Sequence, residues 1–248
     1  MKYITRLLMM SLFWSGFSSA DSLYDQSRNR YIPVEVTYPA KDNLCTETTK
    51  CPVAFLSAGY GVPHNKYEFL SKQLTELGYL VIAIGHELPT DPPLSVKGDL
   101  FVTRSENWIR GAETLEFVRT ELQSQYSRCD FNSLLLVGHS NGGDISSWLG
   151  NESKTYIKSI ITLDHRRVPL PRSKEINILS IRGSDFPANK GVLPTQAENI
   201  AFGSCVVTIP NSKHNDMSDY GPTWLKQKIA EILKEYLTGK SCDKLFVE

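Results

Sequence analysis

Ser140 is the residue around which chemistry can be built. It lies in Gly138-His139-Ser140-Asn141-Gly142, a G-x-S-x-G pattern. A turn sharp enough to lift a serine hydroxyl clear of the strand before it and the helix after it admits only small residues two positions either side. A serine hydroxyl is a weak nucleophile at neutral pH, so it needs a base within hydrogen-bond reach and a carboxylate to orient that base. Two N–H donors must also meet the negative oxygen of a tetrahedral intermediate. The five histidines, His64, His86, His139, His165 and His214, are the candidate bases, and Asp164 and Asp185 are the candidate acids. The chemistry these residues can do together is acyl transfer. Their spacing fits no H-E-x-x-H or C-x-x-C pattern, so no metal and no organic cofactor is called for.

The elements that must position these residues can be read along the chain. Leu134, Leu135, Leu136 and Val137 precede the serine turn as a strand, and Ile145, Trp148 and Leu149 follow it at helical spacing. Residues 31–38 alternate as a half-buried strand near a sheet edge. Residues 52–57 read as a central strand that ends in the sharp loop Ala58-Gly59-Tyr60-Gly61. Tyr67, Leu70, Leu74 and Leu77 mark a helix closed by Gly78, and residues 80–84 the next buried strand, a right-handed parallel crossover. Residues 88–105, with Pro89, Pro92, Pro93 and Gly98, read as a loop over the sheet, of a length that often serves as a lid or binding segment. Trp108, Ala112, Leu115, Val118 and Leu122 mark a long helix. Strands follow at 159–163, 176–181 and 205–209, and Trp224, Ile229, Ile232, Leu233 and Tyr236 form a closing amphipathic helix. Strict alternation of strand and helix implies one α/β domain, residues 21–248, with a mostly parallel central sheet flanked by helices.

This arrangement resembles the α/β-hydrolase fold, in which the catalytic residues run in the order serine, acid, histidine. His214 is the histidine that falls between the last strand and the closing helix, which makes it the base. His139 is expected to pack beside the serine. Asp164 ends the strand at 159–163 and Asp185 ends the strand after it, and either position can bring a carboxylate to the imidazole. In this fold one oxyanion donor is the amide after the serine and the other comes from the loop after an earlier strand, which nominates the backbone N–H groups of Asn141 and Tyr60. Tyr60, His86 and Trp108 are candidates to line an acyl pocket, and equally to be core residues, with the leaving alcohol passing the 88–105 loop.

The segments Leu56-Ser57-Ala58-Gly59-Tyr60-Gly61, Gly78-Tyr79-Leu80-Val81-Ile82-Ala83-Ile84-Gly85-His86-Glu87, Gly138-His139-Ser140-Asn141-Gly142-Gly143, Thr162-Leu163-Asp164, Pro187-Ala188-Asn189 and His214-Asn215-Asp216-Met217-Ser218-Asp219 together resemble the plasma-type platelet-activating-factor acetylhydrolases. Chlorophyllases and bacterial polyester hydrolases are similar at greater distance. The resemblance to the acetylhydrolases implies Asp164 as the acid. Polyester hydrolases carry it one strand later, where this chain has Asp185. It further implies a carboxylic-ester hydrolase acting on short-chain acyl or phospholipid-like esters.

The first residues carry a separate message. Lys2 and Arg6 precede an apolar run over residues 7–17, and Ser18 and Ala20 place small residues at −3 and −1 of a cleavage point, the pattern of a secretory signal over residues 1–20. No other stretch is long and apolar enough to suggest membrane insertion. The whole chain has 27 basic and 27 acidic residues, so nothing in its charge favours nucleic acid as a partner. Five cysteines in an exported chain imply disulfides. Sequence proximity and element order suggest Cys45 with Cys51 and Cys205 with Cys242, leaving Cys129 free. The expected activity is therefore that of an exported serine hydrolase of small-molecule esters, periplasmic or secreted. An amidase or peptidase would use the same triad, and a non-catalytic binding protein could keep the same fold.

Overall fold

The computed structural model describes residues 18–41 and 45–245; most of the signal pattern lies outside them. The strands are β1 (Ser18–Asp25), β2 (Arg30–Thr37), β3 (Cys51–Ser57), β4 (Leu80–Ile84), β5 (Cys129–His139), β6 (Ile157–Leu163), β7 (Asn177–Arg182) and β8 (Cys205–Thr208). The helices are α1 (Glu68–Glu76), α2 (Leu100–Gln125), α3 (Asn141–Gly150), α4 (Gln196–Phe202) and α5 (Thr223–Leu237). The strands form one sheet in the order β1-β2-β4-β3-β5-β6-β7-β8. β1 and β2 join antiparallel at one edge, and every pair from β4 to β8 is parallel.

Both faces of the sheet are dry, which is why β3, β4 and the middle of β5 are nearly continuous apolar runs rather than alternating ones. Successive side chains still go to opposite faces. Val53 and Phe55 of β3 and Leu134 and Leu136 of β5 pack with Trp108, Leu115 and Val118 of α2 and Ile145 of α3. Ala54, Leu56, Leu135 and Val137 pack on the other face with Leu70 and Leu74 of α1 and Leu225, Ile229 and Leu233 of α5. Truncating one of these buried leucines to alanine costs about 2–5 kcal/mol.

Two elements lack the hydrophobic period that reveals the others. β1 is built largely from short polar residues and is held by backbone pairing with β2, from Asp21 opposite Val34 to Asp25 opposite Arg30. Its hairpin turn is fixed by Asp25, whose Oδ1 accepts from the backbone N–H and hydroxyl of Ser27 at 3.0 and 2.6 Å. α4 buries none of its residues. It is defined instead by a Thr195–Glu198 capping box and a left-handed Gly203 at its C-terminus. The loop expected over 88–105 is also shorter than its composition suggests. α2 begins at Leu100, because Asp99 accepts from the N–H groups of Phe101 and Val102 and so starts the helix soon after the prolines end.

Cys45 is bonded to Cys51 and Cys205 to Cys242, while Cys129 is free. The second bridge closes the longer loop, 37 residues against 6, so chain entropy assigns it about 4 kcal/mol and the first about 2 kcal/mol. Thermal melts of the double serine variants are expected to show a clearly larger fall for Cys205→Ser/Cys242→Ser than for Cys45→Ser/Cys51→Ser. Equal falls would mean that the unfolded chain is not what these bridges restrain.

Candidate active site

The strand-to-helix turn after β5 holds Ser140 at φ 50° and ψ −116°, a strained geometry for a residue with a side chain. Its backbone N–H donates to the Leu163 carbonyl at 2.8 Å. Close approach explains the flanking glycines. A Cβ on Gly138 would collide with the Gly142 carbonyl, and one on Gly142 with the Ser57 carbonyl of β3. The start of α3 is thereby pressed onto the sheet, and Ser140 opens into a cleft of about 320 Å³ that it shares with His214, Asn215, Tyr60 and Phe186.

His214 opens a short 3-10 turn, His214–Asp216, beyond β8. Its Nδ1 lies 2.8 Å from Oδ2 of Asp164. Asp164 is fully buried at the end of β6, with φ 51°. Its other oxygen accepts from the Gly183 N–H at 3.0 Å and faces an Arg182 guanidinium nitrogen at 2.8 Å. Arg182 in turn donates to the carbonyls of His165 at 2.5 Å and Phe186 at 2.9 Å. The carboxylate is thus satisfied on every side and aimed by three strand ends. An imidazole with Nδ1–H donated to this carboxylate leaves Nε2 as a proton acceptor.

Of the two aspartates open at the sequence level, the structure brings Asp164 to the imidazole and places Asp185 elsewhere. Asp185 Oδ1 accepts from the backbone N–H of His214 at 2.8 Å, holding the loop rather than the ring. Tyr60 and Asn141 both line the cleft. Among the described residues, neither backbone N–H donates to a protein acceptor. Nor does the Ser140 hydroxyl form a hydrogen bond among the described residues.

The Asn141 side chain is buried and anchors this donor. Its Oδ1 accepts from Trp108 Nε1 at 3.0 Å, and its Nδ2 donates to Asn107 Oδ1 at 2.8 Å and to Glu87 Oε1 at 3.0 Å. Trp108 and His86, for which pocket and core were equally open, are core residues: Trp108 is 0 % exposed and the His86 Nε2 lies 2.9 Å from Ser57 Oγ. His64 and His165 do not line the cleft.

His139 lies beside the serine, as expected, and its contacts define a directional chain. Its Nε2 is 3.1 Å from the His214 carbonyl, which can only accept, so Nε2 carries the proton. Burial, and then the charge of His214, pulls the ring down to about 3, so it is neutral and its Nδ1 accepts. Tyr67 therefore donates to that Nδ1 at 2.7 Å, and the Tyr67 oxygen accepts from the Gly59 N–H at 2.9 Å. One hydrogen-bond path thus ties the loop bearing the Tyr60 amide to the loop bearing His214.

Sequence reasoning missed Phe186, whose ring stacks on the His214 imidazole at 3.9 Å, and three arginines at the cleft, Arg104, Arg166 and Arg167. The position of Phe186 directly after Asp185 was its only signal. Glu87 was missed as well. Burial pushes its carboxyl up to about 7, against the opposing effect of the Asn141 hydrogen bond. A carboxyl whose pKa is raised on folding contributes stability that is complete below the unfolded value, near 4.5, and lost as pH rises through about 7. Relative to Glu87→Gln, the parent protein is therefore expected to lose the equivalent of about 2 kcal/mol of stability between pH 5 and pH 8, against the opposite trend set by the buried neutral histidines His86, His139 and His165. Melts of the two proteins across that range check this, and a stability difference that does not change with pH would remove Glu87 as a contributor.

No protein-family model and no curated protein sequence matches the chain. Solved structures do. An S-formylglutathione hydrolase from Agrobacterium tumefaciens superposes with a TM-score of 0.62 at 14% identity, over 90% of this chain and 95% of that one. A ferulic acid esterase from Streptomyces cinnamoneus superposes at 0.60 and 17% identity, over 90% and 87%. A carboxylesterase from Mesorhizobium loti gives 0.60 and 16%, over 89% and 99%. At such identities the likeness speaks for fold alone, and the resemblance to platelet-activating-factor acetylhydrolases expected from the sequence motifs is not shown by these comparisons. Strand order, the serine turn after β5 and these superpositions agree: the chain has the α/β-hydrolase fold.

Proposed function

We propose that this protein is an exported serine hydrolase of carboxylic esters. The observation that carries the reading is the Asp164–His214 contact of 2.8 Å in the cleft onto which the strained Ser140 opens. Ser140 Oγ attacks the ester carbonyl while His214 Nε2 takes its proton. Asp164 stabilises the imidazolium that results. The amides of Tyr60 and Asn141 donate to the oxyanion, each worth about 3 kcal/mol to the transition state. His214 then protonates the leaving alcohol, and a water molecule activated by the same imidazole releases the acid from Ser140.

The structural neighbours, which include a ferulic acid esterase and a carboxylesterase, support ester rather than amide as the substrate. Export is supported by the signal pattern and by the two disulfides. Among the described residues no helix is long and apolar enough to cross a membrane. Cleavage after Ala20 would leave the pairs from Asp21–Val34 to Asp25–Arg30 intact in the first hairpin.

The test is covalent capture. Incubation with a fluorophosphonate should add one adduct per chain, mapped by peptide mass spectrometry to Ser140, and abolish hydrolysis of p-nitrophenyl acetate and butyrate. An adduct elsewhere, or a folded protein that neither reacts nor turns over any ester, would sink the proposal.

A further inference from the structure

Three arginines meet at the cleft that holds Ser140, in a chain whose basic and acidic residues balance. Arg28, Arg30, Arg110, Arg172 and Arg182 each lie within 4 Å of a carboxylate. Among the described residues Arg104, Arg166 and Arg167 form no such pair, and no acidic side chain lines the cleft with them.

Each of the three is nevertheless held in place. Arg104 donates its Nε to the Ser95 carbonyl at 2.7 Å. Arg166 donates its Nε to Asn189 Oδ1 at 3.3 Å and lays its guanidinium over the Phe186 ring at 4.3 Å, the ring that stacks on His214. Arg167 is fixed by its backbone, whose N–H donates to Asp144 Oδ1 at 2.8 Å, and its own Nε is buried without an acceptor. Asp144 is the acid that faces this group from α3. It is fully buried, and its Oδ1 is already taken by the N–H groups of residues 166, 167 and 168 at 3.3, 2.8 and 2.8 Å. The terminal nitrogens of all three guanidiniums remain without a protein acceptor among the described residues.

Partial burial costs Arg104 and Arg167, and the charge of Asp144 offsets part of that cost. Arg104 is pulled below the usual arginine range by burial first and then by the charge of Arg167. Such a cluster is stabilised by an anion that accepts from it, and guanidinium forks match carboxylate and phosphate oxygens in particular. Resting on the esterase reading above, we propose that the natural substrate is an ester whose acyl or alcohol part carries an anionic oxygen group, bound by Arg104, Arg166 and Arg167 while the ester carbonyl faces Ser140.

The test compares kcat/KM for mono-p-nitrophenyl glutarate with that for p-nitrophenyl pentanoate, a neutral ester of similar length. The parent enzyme should favour the anionic ester about tenfold or more at low salt, with the preference shrinking as salt is raised. R104Q, R166Q and R167Q should each cut that ratio several-fold, with R167K restoring part of it. A ratio at or below one in the parent overturns the proposal, as do arginine variants that lower both esters in proportion. Binding of free glutarate and of butyl phosphate to the Ser140→Ala protein, read by calorimetry, separates this inference from the reading beneath it. Binding of either that is lost in S140A/R167Q supports the anion site even if no ester is turned over. Glutarate alone identifies a carboxylate and butyl phosphate alone a phosphate. Binding of neither overturns the anion site, even where neutral esters are hydrolysed well.

Discussion

Ser140→Ala is expected to lower kcat for p-nitrophenyl butyrate by five to six orders of magnitude, about the loss seen when the nucleophile of such a triad is removed. The burst of one p-nitrophenol per chain that marks acyl-enzyme formation should vanish with it. Stability should change little. Serine and alanine both carry a Cβ at φ 50°, and the Ser140 hydroxyl makes no hydrogen bond among the described residues, so the fold loses no partner. That separation matters, because an inactive variant that also melts early says nothing about chemistry. A Ser140→Ala protein that melts with its parent yet retains more than about a hundredth of its turnover would place the nucleophile elsewhere.

Asp164→Asn is expected to cost about 10⁴ in kcat, because an amide cannot stabilise the imidazolium and lets the ring settle in the wrong tautomer. Here the cost extends to folding. Arg182 has a side chain only 5% exposed and Asp164 one that is 0% exposed, and removing one charge of such a pair leaves the other buried without its partner, typically at about 3–5 kcal/mol. The two carbonyls that also accept from Arg182 soften that loss, so the variant should fold with a lower melting temperature. Asp185→Asn provides the contrast. Its Oδ1 only accepts from the His214 backbone N–H, and an asparagine oxygen can do the same, so turnover should stay within about tenfold of the parent. Both variants assayed side by side decide the acid: equal small losses would remove Asp164 from the role proposed for it.

Much of the fold was legible because it is written in local pattern. The buried strands announce themselves as apolar runs, α2 and α5 by helical spacing, and the serine turn by glycines whose Cβ atoms would strike backbone. β1 and α4 escaped because neither has an apolar period: one is held by backbone pairing at an edge, the other by its caps.

By itself the sequence determined the order of the strands and helices other than β1 and α4, the serine turn, the histidine after the last strand, and two aspartates at strand ends as candidate acids. Those are properties of residue type and of position along the chain. Only the tertiary structure distinguished the aspartates, since which carboxylate reaches an imidazole 50 residues away depends on how β6, β7 and the 214–216 turn converge. The same holds for the Tyr67–His139 path and for Arg104, Arg166 and Arg167. Their shared cleft is assembled from α2 and from the segment after β6, and charges brought together across such a sequence gap leave no periodicity for a reader of the chain to find.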